Sequence, residues 1–344
     1  MKINTPHIVM QAQNLSIGYC RGRKIINEVH KNLTFNLMSG EITCLLGPNG
    51  AGKSTLLRTL GASQKVLGGV LFLNDKPIGQ YKEKDIARQI GLVLTEKTAT
   101  GALKVEELVA LGRHPHTGFF GKLNSHDFAV IEDALRATGS LDKKGRYMSE
   151  LSDGERQKVM ISKALAQESP IIILDEPTSF LDIISRIEIM HLLRKLARDF
   201  NKAILLSTHD LEQALLSADK LWLLSDKKGL ICGTPEDLIF KNEMNELFSH
   251  EEIKFNKLSG SFLLEGKPDK KVRVEGTPEL CFWINNFLHR YGYQVTNEDD
   301  NIVFTLEALT PAHIRLKRGS TDEDLEFGSF EELAICLRSL QRDR

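Results

Sequence analysis

The stretch GPNGAGKST, Gly47 to Thr55, constrains this chain more than any other. It satisfies G-x-x-x-x-G-K-[S/T] in full, after the apolar run ITCLL and before a helical pattern. A strand, a glycine-rich loop and a helix start together make a phosphate site. The glycines let the backbone curl so that its N–H groups face phosphate oxygens, and the helix dipole favours negative charge there. Lys53 offers a cation to the β- and γ-phosphates of ATP, and Ser54 a hydroxyl to Mg2+. Gly47, Asn49, Gly50, Gly52 and Thr55 complete the expected cradle.

Downstream, IIILDEP ends an apolar run in two carboxylates, Asp175 and Glu176. Unpaired charge at the end of a buried strand is costly, and a divalent cation supplies a reason for it. Asp175 is expected to hold the water shell of Mg2+, and Glu176 to orient or deprotonate an attacking water. A second anion site is written in LSDGERQKVMISKAL, residues 151–165, a polar turn opening into an amphipathic helix. One chain carrying two such sites raises the question of whose phosphate the second one serves.

Around these motifs, short β-rich runs alternate with helical stretches over the first 245 or so residues, an α/β pattern. Helices are expected near 53–61, 104–113, 125–138, 154–166, 182–200 and 210–218. Residues 97–165 lack a strong strand signal and read as a helical insertion. From 246 to 344 the texture changes to a C-terminal α+β module, preceded by NEMNELFSHEEIKFNKLSGS as a connector. There, Phe282, Trp283, Phe287 and Leu288 have the spacing of a helical core face, and NEDDN (297–301) reads as a hairpin loop.

The order of these motifs is similar to that of the nucleotide-binding subunits of ATP-binding cassette (ABC) proteins, over roughly residues 5–245. SFLD (179–182) resembles the family's D-loop and STHD (207–210) its switch region. The resemblance implies a RecA-like P-loop NTPase core with an antiparallel β subdomain and a helical insertion. It implies that Tyr19 stacks on adenine, that His209 reaches the γ-phosphate, and that Asp182 lies at the nucleotide interface. It also answers the question above: two subunits pair head to tail, and Ser152 and Gly154 serve ATP held by a second copy. Two departures stand out. The signature reads LSDGE where the family has LSGGQ, so Asp153 and Glu155 add negative charge, tolerable if they point away or pair with Arg156 or Lys158. The family's Mg2+-contacting glutamine is replaced by Thr95, with Glu96 as the alternative.

Within the family, VEELVALGRHPH (105–116) resembles the importer ATPases for iron–siderophore, heme and cobalamin, in the region that receives the permease's coupling helix. The expected partners are therefore integral membrane permease subunits and, indirectly, a substrate-binding protein. His114 and His116 flank a proline and are expected as surface or docking residues, since the metal chelate passes through the permease. The expected location is the cytoplasmic face of the inner membrane, held there by the permease. The alternative is a soluble ABC ATPase such as an iron–sulfur cluster assembly ATPase, not expected to carry LGRHPH or the C-terminal module. Net charge −1 with 26% charged residues argues against a nucleic-acid partner bound by charge alone. Five scattered cysteines without a CxxC pair suggest neither a disulfide framework nor a zinc site. The first residues, MKINTPHIVMQAQ, lack the apolar core of a signal peptide, and no stretch is long enough for a membrane helix.

Overall fold

The computed structural model describes residues 6–21, 24–94, 102–118, 121–248, 253–257, 259–264, 270–297, 301–318 and 324–342. The chain opens on a long antiparallel ribbon, β1 (Ile8–Arg21) and β2 (Lys24–Met38). This ribbon forms one side of an antiparallel sheet completed by β4 (Gly68–Leu73) and β5 (Lys76–Pro77), in the order β2-β1-β4-β5. Strand β3 (Ile42–Leu46) leaves it for a second sheet with β6 (Ile90–Val93), β7 (Ile171–Asp175), β8 (Ala203–Ser207), β9 (Lys220–Ser225) and β10 (Gly229–Gly233). The order is β10-β9-β3-β8-β7-β6, parallel except for the antiparallel edge strand β10.

Every residue of β3 and β8 is buried, as a sheet covered on both faces requires. Successive side chains point to opposite faces, and the two faces feed two cores. Cys44, Leu46, Ile172, Leu174, Ile204 and Leu206 pack with the helical side. Leu45, Ile171, Ile173, Leu205 and Trp222 pack with the antiparallel sheet and with α1 (Lys53–Leu60). Helix α2 (Glu83–Gln89), which has no counterpart in the sequence reading, precedes β6.

The insertion is helical, built from α3 (Val105–Ala110), α4 (Ser125–Ala137) and α5 (Asp153–Ala166). The LGRHPH segment there makes internal contacts that the sequence reading did not anticipate. Arg113 is 2% exposed, and donates to Asp127 Oδ1 at 2.9 Å, the Ala166 carbonyl at 2.7 Å and Glu168 Oε2 at 2.6 Å. His116 Nε2 lies 2.9 Å from the Gln167 carbonyl, while His114 is exposed. Arg88 and Lys84 donate to the carbonyls of Pro115 and Thr117. Arg113 and His116 thus belong to a clasp between the insertion, α2 and the end of α5; of the residues expected at the surface, His114 is there.

Helices α6 (Ile183–Asp199) and α7 (Leu211–Ser217) follow β7 and β8, and α8 (Pro235–Phe240) and α9 (Glu243–Leu247) follow β10. The expected connector is not featureless. It contains α9 and β11 (Ile253–Asn256), which forms a two-stranded sheet with β12 (Ser261–Leu264). Phe255 is buried in the helical-side core, and Phe262 packs against Phe248 and Phe255. The chain accordingly divides into Met1–His250 with Phe255–Phe262, and Glu251–Lys254 with Leu263–Arg344.

The second unit is α+β. Strands β13 (Lys270–Gly276), β14 (Tyr293–Val295), β15 (Ile302–Thr310), β16 (His313–Lys317) and β17 (Leu325–Phe327) form one sheet, in the order β14-β13-β15-β16-β17. Helices α10 (Pro278–Arg290) and α11 (Phe330–Arg342) supply Ile284, Phe287, Leu288, Leu333 and Leu337 to its core. Two expectations need correction. Phe287 and Leu288 are core residues, but Phe282 and Trp283 are 49% and 58% exposed, Trp283 bordering the core beside Phe287 and Phe330. Residues 298–300 lie outside the described residues, but β14 and β15 both run parallel to β13, one on each side, so they are not hairpin arms.

Candidate functional site

The glycine-rich loop joins buried β3 to α1. Gly52, at the N-cap of α1, has φ 86°, in the left-handed region, and a Cβ there would meet Val29 Cγ1 at 2.7 Å. Only glycine adopts such a conformation at little cost, so this turn accounts for the motif's second glycine. Gly47 is buried under the Leu224 carbonyl, whereas Asn49 and Gly50 are exposed on the loop. Lys53 is 7% exposed and lies back on its own loop, donating from Nζ to the carbonyls of Gly47 (2.8 Å) and Pro48 (3.0 Å). Burial pushes its amine below the usual lysine range, and the carboxylates of Glu176 and Asp175 oppose that shift. Ser54 presents an exposed hydroxyl, while Thr55 is buried and lies 3.1 Å, Oγ1 to hydroxyl, from Tyr19. That bond fixes the half-exposed Tyr19 ring beside the loop.

At the end of β7 stand Asp175 and Glu176. Glu176 has φ 48°, an uncommon conformation for a residue with a side chain. Its N–H donates to Ser207 Oγ at 2.9 Å, and the same hydroxyl donates to Asp175 Oδ1 at 2.6 Å. The Glu176 carboxylate is held at both oxygens, by Ser179 Oγ at 2.9 Å and by His209 Nε2 at 2.6 Å. Strands β3, β7 and β8 are neighbours, so the parallel sheet brings the loop, the two carboxylates and His209 to its carboxyl end.

Ser152 and Gly154 belong to a separate constellation. Ser152 caps α5, accepting from Glu155 N at 3.2 Å, and Glu155 Oε2 accepts from Ser152 N at 3.0 Å, a capping box. Gly154 faces α6, where a Cβ would come 2.7 Å from Ser185 Oγ. Ser185 in turn donates to Asp182, the N-cap of α6, through its N–H at 2.8 Å and its hydroxyl at 3.0 Å. These bonds hold the Asp182 carboxyl below the usual range. Among the described residues, none of the side-chain hydrogen bonds of Ser152 reaches its own glycine-rich loop. Ser152 is exposed and Gly154 half-buried.

The acidic residues of the turn are paired, in part differently from expectation. Asp153 meets Arg156 at 2.7 Å, but Glu155 meets Lys143 at 2.9 Å, and Lys158 goes to Glu188. The Lys143 ammonium, then the Ser152 N–H, pull the Glu155 carboxyl down to about 2. The spacing S-x-x-E is itself a capping-box signal and was available in the sequence. Lys143 and Ser207 are reached only through the fold. Thr95 and Glu96, the expected contacts to Mg2+ or water, lie outside the described residues.

Beside this site, Ile183, Ile187, Arg186 and His209 line an open cleft of about 650 Å3. Phe180, Ile183, Ile184 and Ile187 are 84%, 71%, 66% and 47% exposed around it, an apolar cluster of the kind that marks an interaction surface.

The donors suit a magnesium nucleotide: a backbone cradle where side chains do not fit, a buried lysine, and a hydroxyl and a carboxylate as hard oxygen ligands. Comparison with known proteins agrees. Residues 30–179 match the ABC transporter family, and residues 269–338 match the iron ABC transporter C-terminal domain. An uncharacterized ABC transporter ATP-binding protein of Methanocaldococcus jannaschii is 41% identical over 266 residues, 77% of this chain and 90% of the relative. The iron(3+)-hydroxamate import ATP-binding protein of Bacillus subtilis is 36% identical over 241 residues, 70% of this chain and 87% of that protein. A dimeric ATP-binding cassette solved in a post-hydrolysis state with ADP and Pi is 26% identical, with a TM-score of 0.56, covering 66% of this chain and 98% of the other. The chain belongs to the ATP-binding proteins of ABC transporters. It is an ATPase with the RecA-like cassette fold, followed by a C-terminal domain of the iron-transporter type.

Proposed function

We propose that this ATPase powers import of a metal chelate, of the iron–siderophore, heme or cobalamin type, through a permease at the cytoplasmic face of the membrane. The observation that carries the substrate class is the pairing of the cassette with an iron-transporter C-terminal domain over residues 269–338. Similarity to an iron(3+)-hydroxamate import protein supports it. Among the described residues no helix is long and apolar enough to cross a membrane; in this reading a permease provides the passage.

In this reading Gly47, Asn49, Gly50, Gly52, Lys53 and Thr55 hold the phosphates of ATP, and Tyr19 packs on the adenine. Ser54 and Asp175 would hold Mg2+. The ion, when bound, neutralises charge on the β- and γ-phosphate oxygens. Lys53 moves from its loop carbonyls to the phosphates. Glu176 accepts a hydrogen bond from the attacking water, and His209 turns from Glu176 to the γ-phosphate. Ser152 and Gly154 meet the ATP of a second copy, with Asp182 and the exposed isoleucines of α6 at the seam. Support comes from their separation from the chain's own loop and from the dimeric state of the related cassette. The first unit, expected over 1–245 and extended in the structure to 250 with 255–262, is the ATPase, and the second is an accessory module.

The test is Glu176→Gln. Without its water-orienting carboxylate the variant is expected to bind ATP, lose hydrolysis by at least about 100-fold, and run as a dimer in ATP by light scattering. A monomer under those conditions refutes the paired arrangement.

A further inference from the structure

The geometry points to Ser207 as the positioning residue for the Mg2+ site. The inference rests on the reading of Asp175 as the residue that holds the ion's water shell. Ser207 ends β8, directly opposite Asp175 in the parallel register, and is 0% exposed. A serine hydroxyl has one proton and two lone pairs. Here the proton goes to Asp175 Oδ1 at 2.6 Å, and a lone pair accepts the Glu176 N–H at 2.9 Å. One hydroxyl therefore acts on both carboxylate residues.

The two bonds have separable consequences. The first restrains the rotation of the Asp175 carboxylate by holding its Oδ1. The second restrains the peptide of Glu176 in its left-handed conformation, from which that side chain reaches Ser179 and His209. His209 follows Ser207 by two residues, so β8 ends on the anchor of the carboxylates and the turn just after it carries the group that contacts one of them. Groups that orient metal ligands from behind change metal affinity by about 10- to 100-fold when removed. Ser207 has that position, although the sequence marks it only as the end of an apolar strand and the first residue of STHD.

The experiment titrates the ATP complex of the full chain with Mn2+, read by electron paramagnetic resonance. Wild type, Ser207→Ala, Ser207→Cys and Asp175→Asn are compared, and ATP binding is measured separately in EDTA. Ser207→Ala is expected to weaken Mn2+ binding about 10-fold or more and to leave ATP binding in EDTA within about twofold. Ser207→Cys keeps the volume with a weaker donor and should fall between. If Ser207→Ala does not fold, the Cys variant decides on the same scale. Wild-type Mn2+ affinity in the Ser207 variants, with a loss in Asp175→Asn, overturns the role of Ser207 and leaves that of Asp175 standing. Wild-type affinity in Asp175→Asn as well overturns both.

Discussion

Glu155 divides its carboxylate between two tasks. Oε2 closes the capping box on Ser152 N–H, and Oε1 holds Lys143. An acidic residue beside an anion site is thus turned away from it, and the serine keeps its place at the helix start. Because the Glu155 carboxyl lies at about 2, below its ordinary 4.5, its contribution is present above pH 4.5 and is lost as pH falls toward 2. Glu155→Gln is therefore expected to lower stability at neutral pH by about 1 kcal/mol or less, given its partial exposure. Thermal melts across that range should show the difference from wild type closing in acid; a difference that grows in acid contradicts the assignment. Gly154→Ala probes the neighbouring contact. Its new Cβ meets Ser185 at 2.7 Å, and the crowding should cost about 1–3 kcal/mol in denaturant unfolding.

Between elements, the informative case is Arg113. As a sequence signal, LGRHPH pointed to a family and to a docking region; in the fold its arginine is an internal clasp. Asp127 serves it with Oδ1 at 2.9 Å, and closes the capping box of α4 on Asn124 N with Oδ2 at 3.0 Å. Removing the guanidinium leaves Asp127 buried without that partner, so Arg113→Ala should destabilise the cassette by about 3–5 kcal/mol in urea unfolding. A change under about 1 kcal/mol would deny the clasp its structural role. The same contrast explains what could be read in advance. The glycine-rich loop, the apolar strands and helices such as Ser125–Ala137 rest on local spacing, and the sequence expectation of 125–138 lies within a residue of the structure. Ser207, Lys143 and the exposed Trp283 depend on which element lies opposite, so periodicity alone did not find them. Trp283 stands one turn before the buried Phe287, yet the fold leaves it at the exposed rim beside Phe330.

For the chain as a whole, the boundary between its two units does not fall at one point. Phe255 and Phe262 return to pack with Phe248 and the helical-side core. A chain ending after residue 264 should keep the melting temperature of the cassette, whereas one ending near 250 loses the buried Phe255 and the half-buried Phe262 and should melt lower. Equal melting of the two, by calorimetry, would place those aromatics outside the cassette's core. The coupling of the ATPase cassette to metal-chelate import is tested most directly by one measurement. It is the ATPase rate of the protein reconstituted in liposomes with the permease pair of a ferric hydroxamate importer, with Glu176→Gln as control. A rate that rises with the permease and disappears in the variant is the predicted result. A Glu176-dependent rate indifferent to such permeases would contradict the import role and favour a soluble ABC ATPase of the iron–sulfur assembly kind.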